Sequence, residues 1–93
     1  MREPFVHSDL ALYYAKTEKP DLARQRLETA IVLSPDSGEI QAAAAEAYEI
    51  IGERDEAIKF IQKSLELGYP RQRIQRNPEL SDLLNDPRMQ LPL

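Results

Sequence analysis

The chain of 93 residues contains a single histidine, His7, and histidine is the side chain most often used for acid–base catalysis and metal binding. There is no cysteine to act as a nucleophile or as a soft metal ligand. A metal site built from several histidines and cysteines is therefore excluded within one chain. We expect a half-buried packing role for His7 rather than a catalytic one.

Three glutamates offer the next candidate chemistry. Glu46, Glu49 and Glu53 are spaced three and four residues apart, which places their carboxylates on one face of a helix. Paired carboxylates can transfer protons or hold a cation. An acidic face that is solvated or lines a groove is the interpretation we favour. No glycine-rich phosphate loop accompanies these residues.

The only basic cluster lies near the C-terminus, next to Tyr69, and consists of Arg71, Arg73, Arg76 and Arg88. Arginines beside an aromatic ring can bind phosphate or RNA. Acidic residues alternate with them between Glu79 and Asp86, and the formal net charge of the chain is −4. We therefore expect ion pairs and helix capping here, and no nucleic-acid binding.

Composition predicts one small non-catalytic domain over residues 1–93. No apolar run is long enough to cross a membrane, and the first residues lack the apolar core of a signal peptide. We therefore expect no membrane partner and take the cytoplasm as the default location. No residue pattern implies a catalytic group, a metal or a cofactor.

The chain is organised around a helical hairpin at residues 42–67. Apolar side chains recur at helical spacing on either side of Gly52, which can adopt the left-handed conformation that ends a helix. An earlier hairpin has Pro20 at the start of its second helix, and Glu18 stands where the later hairpin has Gly52. We expect that earlier turn to be strained.

Helical spacing also predicts the inner stripe of the first helix and the start of the third. The stripe comprises Val6, Leu10, Tyr13 and Tyr14. Asp36 and Glu39 have the spacing of a capping box, so we expect Asp36 to cap the third helix.

The two hairpins are copies of each other, 34 residues apart. Tyr48 corresponds to Tyr14, and Ala57 corresponds to Ala23. Small or apolar residues match at nearly every position that the periodicity predicts to be buried. This spacing indicates an internal repeat.

A repeat of this length made of two helices resembles the tetratricopeptide repeat (TPR). The run NPELSDLLNDPRM at residues 77–89 is similar to the tail at the C-terminal end of bacterial TPR arrays. The residues that carry the resemblance in the first copy are Leu10, Ala11, Tyr14, Ala23, Leu27, Ala30 and Pro35. Those in the second copy are Ala44, Ala45, Tyr48, Ala57, Ile61 and Ser64. His7 and Gln41 replace the tryptophan of the pattern, and Ala11 and Ala45 replace its glycine.

The resemblance implies an all-α fold of two antiparallel hairpins stacked as a right-handed superhelix. The repeats would span residues 4–35 and 36–69, with short capping helices over residues 70–93. It also implies a protein-interaction scaffold that binds a partner segment in the groove lined by the first helix of each hairpin. The groove residues would be Phe5, Ser8, Leu12, Lys16, Glu39, Ala42, Ala43, Glu46 and Glu49.

The implied groove has an acidic side and lacks the basic clamp with which some members of the family bind acidic chaperone tails. A protein or peptide partner with basic and apolar side chains therefore fits better. The alternative is a structural role as the end cap of a longer array or as a self-association segment, with no ligand of its own. Two repeats are fewer than the three or so that such folds usually need, so adjacent repeats or a second copy are further candidate partners.

Overall fold

The computed structural model describes residues 3–89, and this part of the chain is all-α and contains no strand. Four long helices form two antiparallel hairpins: α1 (Glu3–Lys16) with α2 (Pro20–Leu33), and α3 (Gly38–Ile50) with α4 (Arg54–Glu66). A short helix, α5 (Arg71–Arg76), and two 3₁₀ turns, Leu83–Asn85 and Pro87–Met89, follow. The all-α prediction is confirmed, whereas the superhelical sense of the stack stays a prediction.

Each hairpin turns through the same set of hydrogen bonds. The N–H of Lys19 donates to the Tyr14 carbonyl at 2.8 Å, and 34 residues later the N–H of Glu53 donates to the Tyr48 carbonyl at 2.9 Å. This six-residue closure needs a left-handed residue just before its donor. Gly52 supplies it with φ 87°, whereas Glu18 must adopt φ 62°. The strain expected in the first turn is present.

Replacing Glu18 with glycine is expected to raise the free energy of unfolding by about 0.5–1 kcal/mol, because glycine avoids the left-handed penalty at some cost in chain entropy. The reverse change, Gly52→Glu, should lower it by a similar amount, since an added Cβ at Gly52 would meet no atom within 4 Å. Urea denaturation of both variants measures the effect. A loss of stability in Glu18→Gly would contradict it.

The third helix is capped by Ser37 instead of Asp36. The Ser37 hydroxyl accepts the N–H of Ile40 at 3.2 Å, and the helix begins at Gly38. Gln41 stabilises the same connection from inside, where its buried amide donates to the Pro35 carbonyl at 3.0 Å. The capping-box prediction was therefore wrong by one residue.

Two apolar clusters hold the fold together. The first lies between the hairpins and consists of Ala11, Ala15, Ala23, Leu27, Ala44 and Ala47. The second lies between the α3–α4 hairpin and the C-terminal segment and consists of Ala42, Ala45, Ala57, Ile58, Ile61, Ile74, Leu80, Leu83 and Met89. The many alanines let the helices approach closely, because a methyl group is all that separates the backbones.

Most residues that carry the repeat resemblance are buried in or beside these clusters. The fully buried ones are Ala11, Ala23, Leu27, Ala30, Ala44, Ala45, Ala57, Ile61 and Ser64. Leu10, Tyr14 and Tyr48 are half-buried. The predicted inner stripe of α1 is wrong at two positions, because Val6 and Tyr13 are 53% and 58% exposed.

Candidate interaction surfaces

His7 lies between the helices of the first hairpin. It is half-buried, and its Nδ1 is 3.1 Å from Nη1 of Arg26, which can only donate. Nδ1 therefore accepts that hydrogen bond, which links α1 to α2. Within residues 3–89, no three histidine, cysteine or acidic side chains are grouped so that they could hold a metal ion.

The predicted groove between α1 and α3 is not continuous. Ser8 and Ala42 are 3% and 4% exposed, so both belong to packing interfaces and cannot contact a partner. The Ser8 hydroxyl donates within its own helix to the Phe5 carbonyl at 3.0 Å. Leu12 is half-buried against the first cluster. Ser8 and Ala42 are 34 positions apart and occupy equivalent places in the two hairpins.

Six of the predicted groove residues keep accessible surface without lying in an apolar cluster. Phe5 is 37% exposed, Lys16 and Glu39 are exposed, and Ala43, Glu46 and Glu49 are half-buried. The buried Ser8 and Ala42 interrupt this set on α1 and α3.

The acidic side chains of α3 are bound by the chain itself. Glu46 accepts a hydrogen bond from the Asn77 amide at 2.8 Å, and Glu49 accepts one from Nε of Arg54 at 2.8 Å. Glu39 lies 3.7 Å from Arg73. Asn77 and Arg73 both belong to the C-terminal segment. This segment therefore contacts two of the acidic side chains for which the sequence predicted a basic partner.

The C-terminal segment is held by two turns of the same design. In the first, the Asn77 side chain accepts the N–H of Glu79 at 2.9 Å, and the Asn77 carbonyl accepts the N–H of Leu80 at 3.0 Å. In the second, the Asp86 carboxylate accepts the N–H of Arg88 at 3.0 Å, and the Asp86 backbone carbonyl accepts the N–H of Met89 at 2.8 Å.

A proline follows each of these capping residues, and its fixed φ suits the first position of such a turn. Each turn delivers its fourth residue to the second apolar cluster, where Leu80 and Met89 are buried. Leu80 is 2% exposed and Met89 is 4% exposed. The segment is therefore an extension of the core.

The predicted basic cluster is divided among these contacts. Arg88 binds Asp86 and Asp55, and Arg73 lies 5.9 Å from the ring of Tyr69 as well as near Glu39. Arg71 and Arg76 are exposed. The ion pairs that the sequence predicts for this cluster are therefore formed by Arg73 and Arg88.

Asp86 is the electrostatic centre of this end of the molecule. Its carboxylate accepts from Arg88 at 3.1 Å and from Arg54 at 3.4 Å, and its side chain is 11% exposed. The Arg88 side-chain hydrogen bond, the Arg88 backbone N–H and the Arg54 guanidinium together hold the pKa of Asp86 well below its ordinary value.

Because the folded-state pKa is lowered, the contribution of Asp86 to stability is present above the unfolded-state pKa of about 4 and is lost as the pH falls below it. Replacing Asp86 with asparagine should therefore lower the Tm at pH 7 and leave a much smaller difference from wild type near pH 2. Thermal denaturation from pH 2 to pH 7 measures this. Asp82→Asn, at an exposed neighbouring position, is the control. A difference that stays constant with pH would contradict the assignment.

A mixed cleft of about 430 Å³ lies between α2 and α4, with Ile31 and Phe60 among its lining residues. Lys59 and Lys63 border it together with the acidic Asp36 and Glu66. The opposed charges favour no single class of small ligand.

An open apolar surface lies on the first hairpin, and sequence reasoning missed most of it. Among residues 3–89, the exposed large apolar side chains are Phe5, Val6, Tyr13, Leu22, Val32 and Leu33, all on α1 or α2. The sequence contained one signal. Val6, Ile40 and Ile74 recur at 34-residue spacing, and only Val6 has no preceding unit in this chain to cover it.

The three residues at this repeat position differ in burial. Ile40 is 1% exposed and Ile74 is 0% exposed, whereas Val6 is 53% exposed. Because Ile74 lies one period after Ile40, α5 occupies the place where a third repeat would begin. The C-terminal segment thus covers the second hairpin with Ile74, Leu80, Leu83 and Met89.

Comparison with protein-family models, with curated proteins and with solved structures finds no match for this chain. No helix within residues 3–89 is both long and apolar enough to pass through a bilayer.

Proposed function

We propose that this chain is a non-catalytic protein-interaction scaffold of the TPR class that engages its partner with the first hairpin. One observation supports this most strongly. The exposed large apolar side chains of residues 3–89 all lie on α1 and α2, while the other end of the fold is covered by the C-terminal segment. A concentration of exposed large apolar side chains on one part of a folded domain commonly marks a protein contact.

The partner chemistry follows from what remains accessible. The carboxylates of Glu46 and Glu49 already bind Asn77 and Arg54, so they attract a basic partner less than their sequence suggests. The exposed large apolar side chains of residues 3–89 lie on α1 and α2 and are aliphatic or aromatic. We therefore infer a protein partner with an apolar contact surface, and we place the contact on the first hairpin rather than in the predicted acidic groove.

Site-specific photo-crosslinking tests this proposal. A photoreactive phenylalanine analogue at Val6 or Val32 should give protein adducts in an extract of the source cells, because Val6 and Val32 are 53% and 79% exposed. The same analogue at Gln72, which is exposed on α5, is the matched control and should give none. Equal adducts at all three positions, or adducts at Gln72 alone, would contradict the proposal.

A second candidate function is the terminal unit of a longer helical array. The 34-residue recurrence of Val6, Ile40 and Ile74 favours it, because Ile40 and Ile74 are buried whereas Val6 is exposed. The reading frame upstream of Met1 decides this candidate. Codons for another hairpin with small residues at the same spacing would support it, and an in-frame stop codon would exclude it.

A further inference from the structure

We propose that residues 90–93, with the sequence Gln-Leu-Pro-Leu, dock in a cleft between α4, α5 and the last 3₁₀ turn. We call these four residues the tail; they lie outside the part of the chain that the structure describes. The tail cleft is defined by its lining residues, Gln62, Leu65, Glu66, Arg71 and Met89. It lies on other helices than the hairpin surface that the proposed function uses.

The tail cleft has an apolar side and a charged side. Met89 is part of the second apolar cluster, and Leu65 packs against it. Glu66 and Arg71 are exposed and carry opposite charges. The volume of the cleft is about 450 Å³, within the range of about 300–1,000 Å³ that ligand pockets usually have. The cleft is therefore large enough to take apolar side chains.

The chain leaves the described residues at the tail cleft itself. Met89 and Gln62 both line the cleft, and the Gln62 amide donates to the Arg88 carbonyl at 3.4 Å. An extended chain spans about 3.3–3.6 Å per residue, so the Cα atom of Leu91 must lie within about 7 Å of that of Met89, and the Cα atom of Leu93 within about 14 Å. Both leucines can therefore reach the cleft.

The sequence of the tail suits an apolar cleft. A proline restricts the residue before it to extended backbone, so Pro92 favours that conformation at Leu91. In an extended chain, side chains two residues apart share one side, which groups Leu91 with Leu93. Pro92 also has no N–H that docking would have to satisfy. Two leucines on one side match the apolar side chains of Leu65 and Met89 in the cleft.

Covalent attachment favours the tail over any other occupant. A segment that is joined to the edge of its site by one or two residues has an effective concentration in the millimolar range. A free apolar ligand of equal intrinsic affinity would need about that concentration to displace it. The chain's own residues therefore close the tail cleft to other ligands.

Disulfide trapping tests the docking in the full chain, which has no cysteine of its own. Glu66→Cys combined with Leu91→Cys should form an intramolecular disulfide under mild oxidation, because docking brings the two Cα atoms within the roughly 7 Å that a disulfide allows. Lys59→Cys combined with Leu91→Cys is the matched control and should remain reduced. Lys59 is exposed, borders a different cleft, and is about 10 Å from Glu66 along α4.

An undocked tail would reach both positions on α4, because Gln62, which binds the Arg88 carbonyl, lies between Lys59 and Glu66. Mass spectrometry after alkylation of free thiols measures the fraction of each pair that is oxidised. Equal oxidation of the two pairs, or oxidation of the control pair alone, would overturn the docking. No disulfide in either pair would also overturn it and would leave the cleft to a separate ligand.

Hydrogen exchange in a chain without cysteine gives an independent measurement. Replacing both Leu91 and Leu93 with serine should speed up exchange of the Met89 amide by about tenfold, because this N–H closes the turn at the edge of the cleft. The amide of Lys19, which closes the turn of the first hairpin, is the internal control and should not change. Unchanged exchange at Met89 would contradict the docking.

Discussion

Replacing Tyr48 with alanine is expected to lower the free energy of unfolding by about 3 kcal/mol. Tyr48 packs against both apolar clusters, and its ring stacks on Phe60 with the centroids 5.4 Å apart and the planes 5° apart. Burial of the ring raises the pKa of its phenol above the ordinary value, and the negative charges of nearby glutamates raise it further. Removing the ring takes contacts from both clusters at once. Urea denaturation monitored by far-ultraviolet circular dichroism measures the loss.

Tyr14→Ala provides a control at the equivalent position of the first hairpin. Tyr14 packs against the first cluster only and meets Tyr13 edge-on, with the centroids 5.8 Å apart. We expect a smaller loss, about 1–2 kcal/mol. Equal losses at the two positions would show that the central role assigned to Tyr48 is wrong.

Replacing Ile74 with alanine is expected to cost about 2–4 kcal/mol, although Ile74 belongs to a helix of only six residues. Its side chain is 0% exposed and lies in the cluster that joins the C-terminal segment to α3 and α4. The cavity left by the change should also loosen that segment. Hydrogen exchange should then speed up for the amides of Leu80, Leu83 and Met89, whose N–H groups close the turns of the segment.

Val6→Ala is the matched comparison, because Val6 occupies the same repeat position without a covering unit. In a dilute solution of monomers, its cost should stay below about 1 kcal/mol. A cost for Val6→Ala as large as that for Ile74→Ala would mean that Val6 is covered in solution.

The two ends of the molecule differ in a way that bears on function. At the C-terminal end, Ile74, Leu80 and Met89 cover the second hairpin, and Asn77 and Arg73 bind acidic side chains of α3. At the N-terminal end, Val6 and Tyr13 stay exposed. Within residues 3–89, the second hairpin is therefore covered by the C-terminal segment, whereas apolar side chains of the first hairpin stay accessible.

Local sequence signals predicted the helices well and the caps less well. The bounds of α1 and α2 follow from Pro20 and from the turn at Glu18, which adopts the left-handed conformation that its repeat position requires. Asp36 and Ser37 are both good capping residues, and a one-residue shift changes which of them caps α3. Choosing between them depends on where Gln41 packs, and that is a tertiary contact.

Local sequence signals did not predict the ion pairs and hydrogen bonds between side chains far apart in the chain. Asp55 has a lysine at helical spacing on its own helix, yet its carboxylate binds Arg88 from the C-terminal segment. Glu46 belongs to an acidic stripe in the sequence but accepts the amide of Asn77, 31 residues later. Such contacts depend on how the chain returns to α3 after α5, and no periodicity within one helix contains that information.

The sequence by itself determined that this protein is made of two equivalent helical hairpins, because a 3.6-residue apolar period and a 34-residue repeat are properties of the order of residues. It also determined the left-handed residue in each hairpin turn. Only the tertiary structure decided which faces remain open. Burial at a given repeat position depends on whether another unit lies against it, so chemically similar side chains, Val6 and Ile74, have opposite fates at the two ends of the fold.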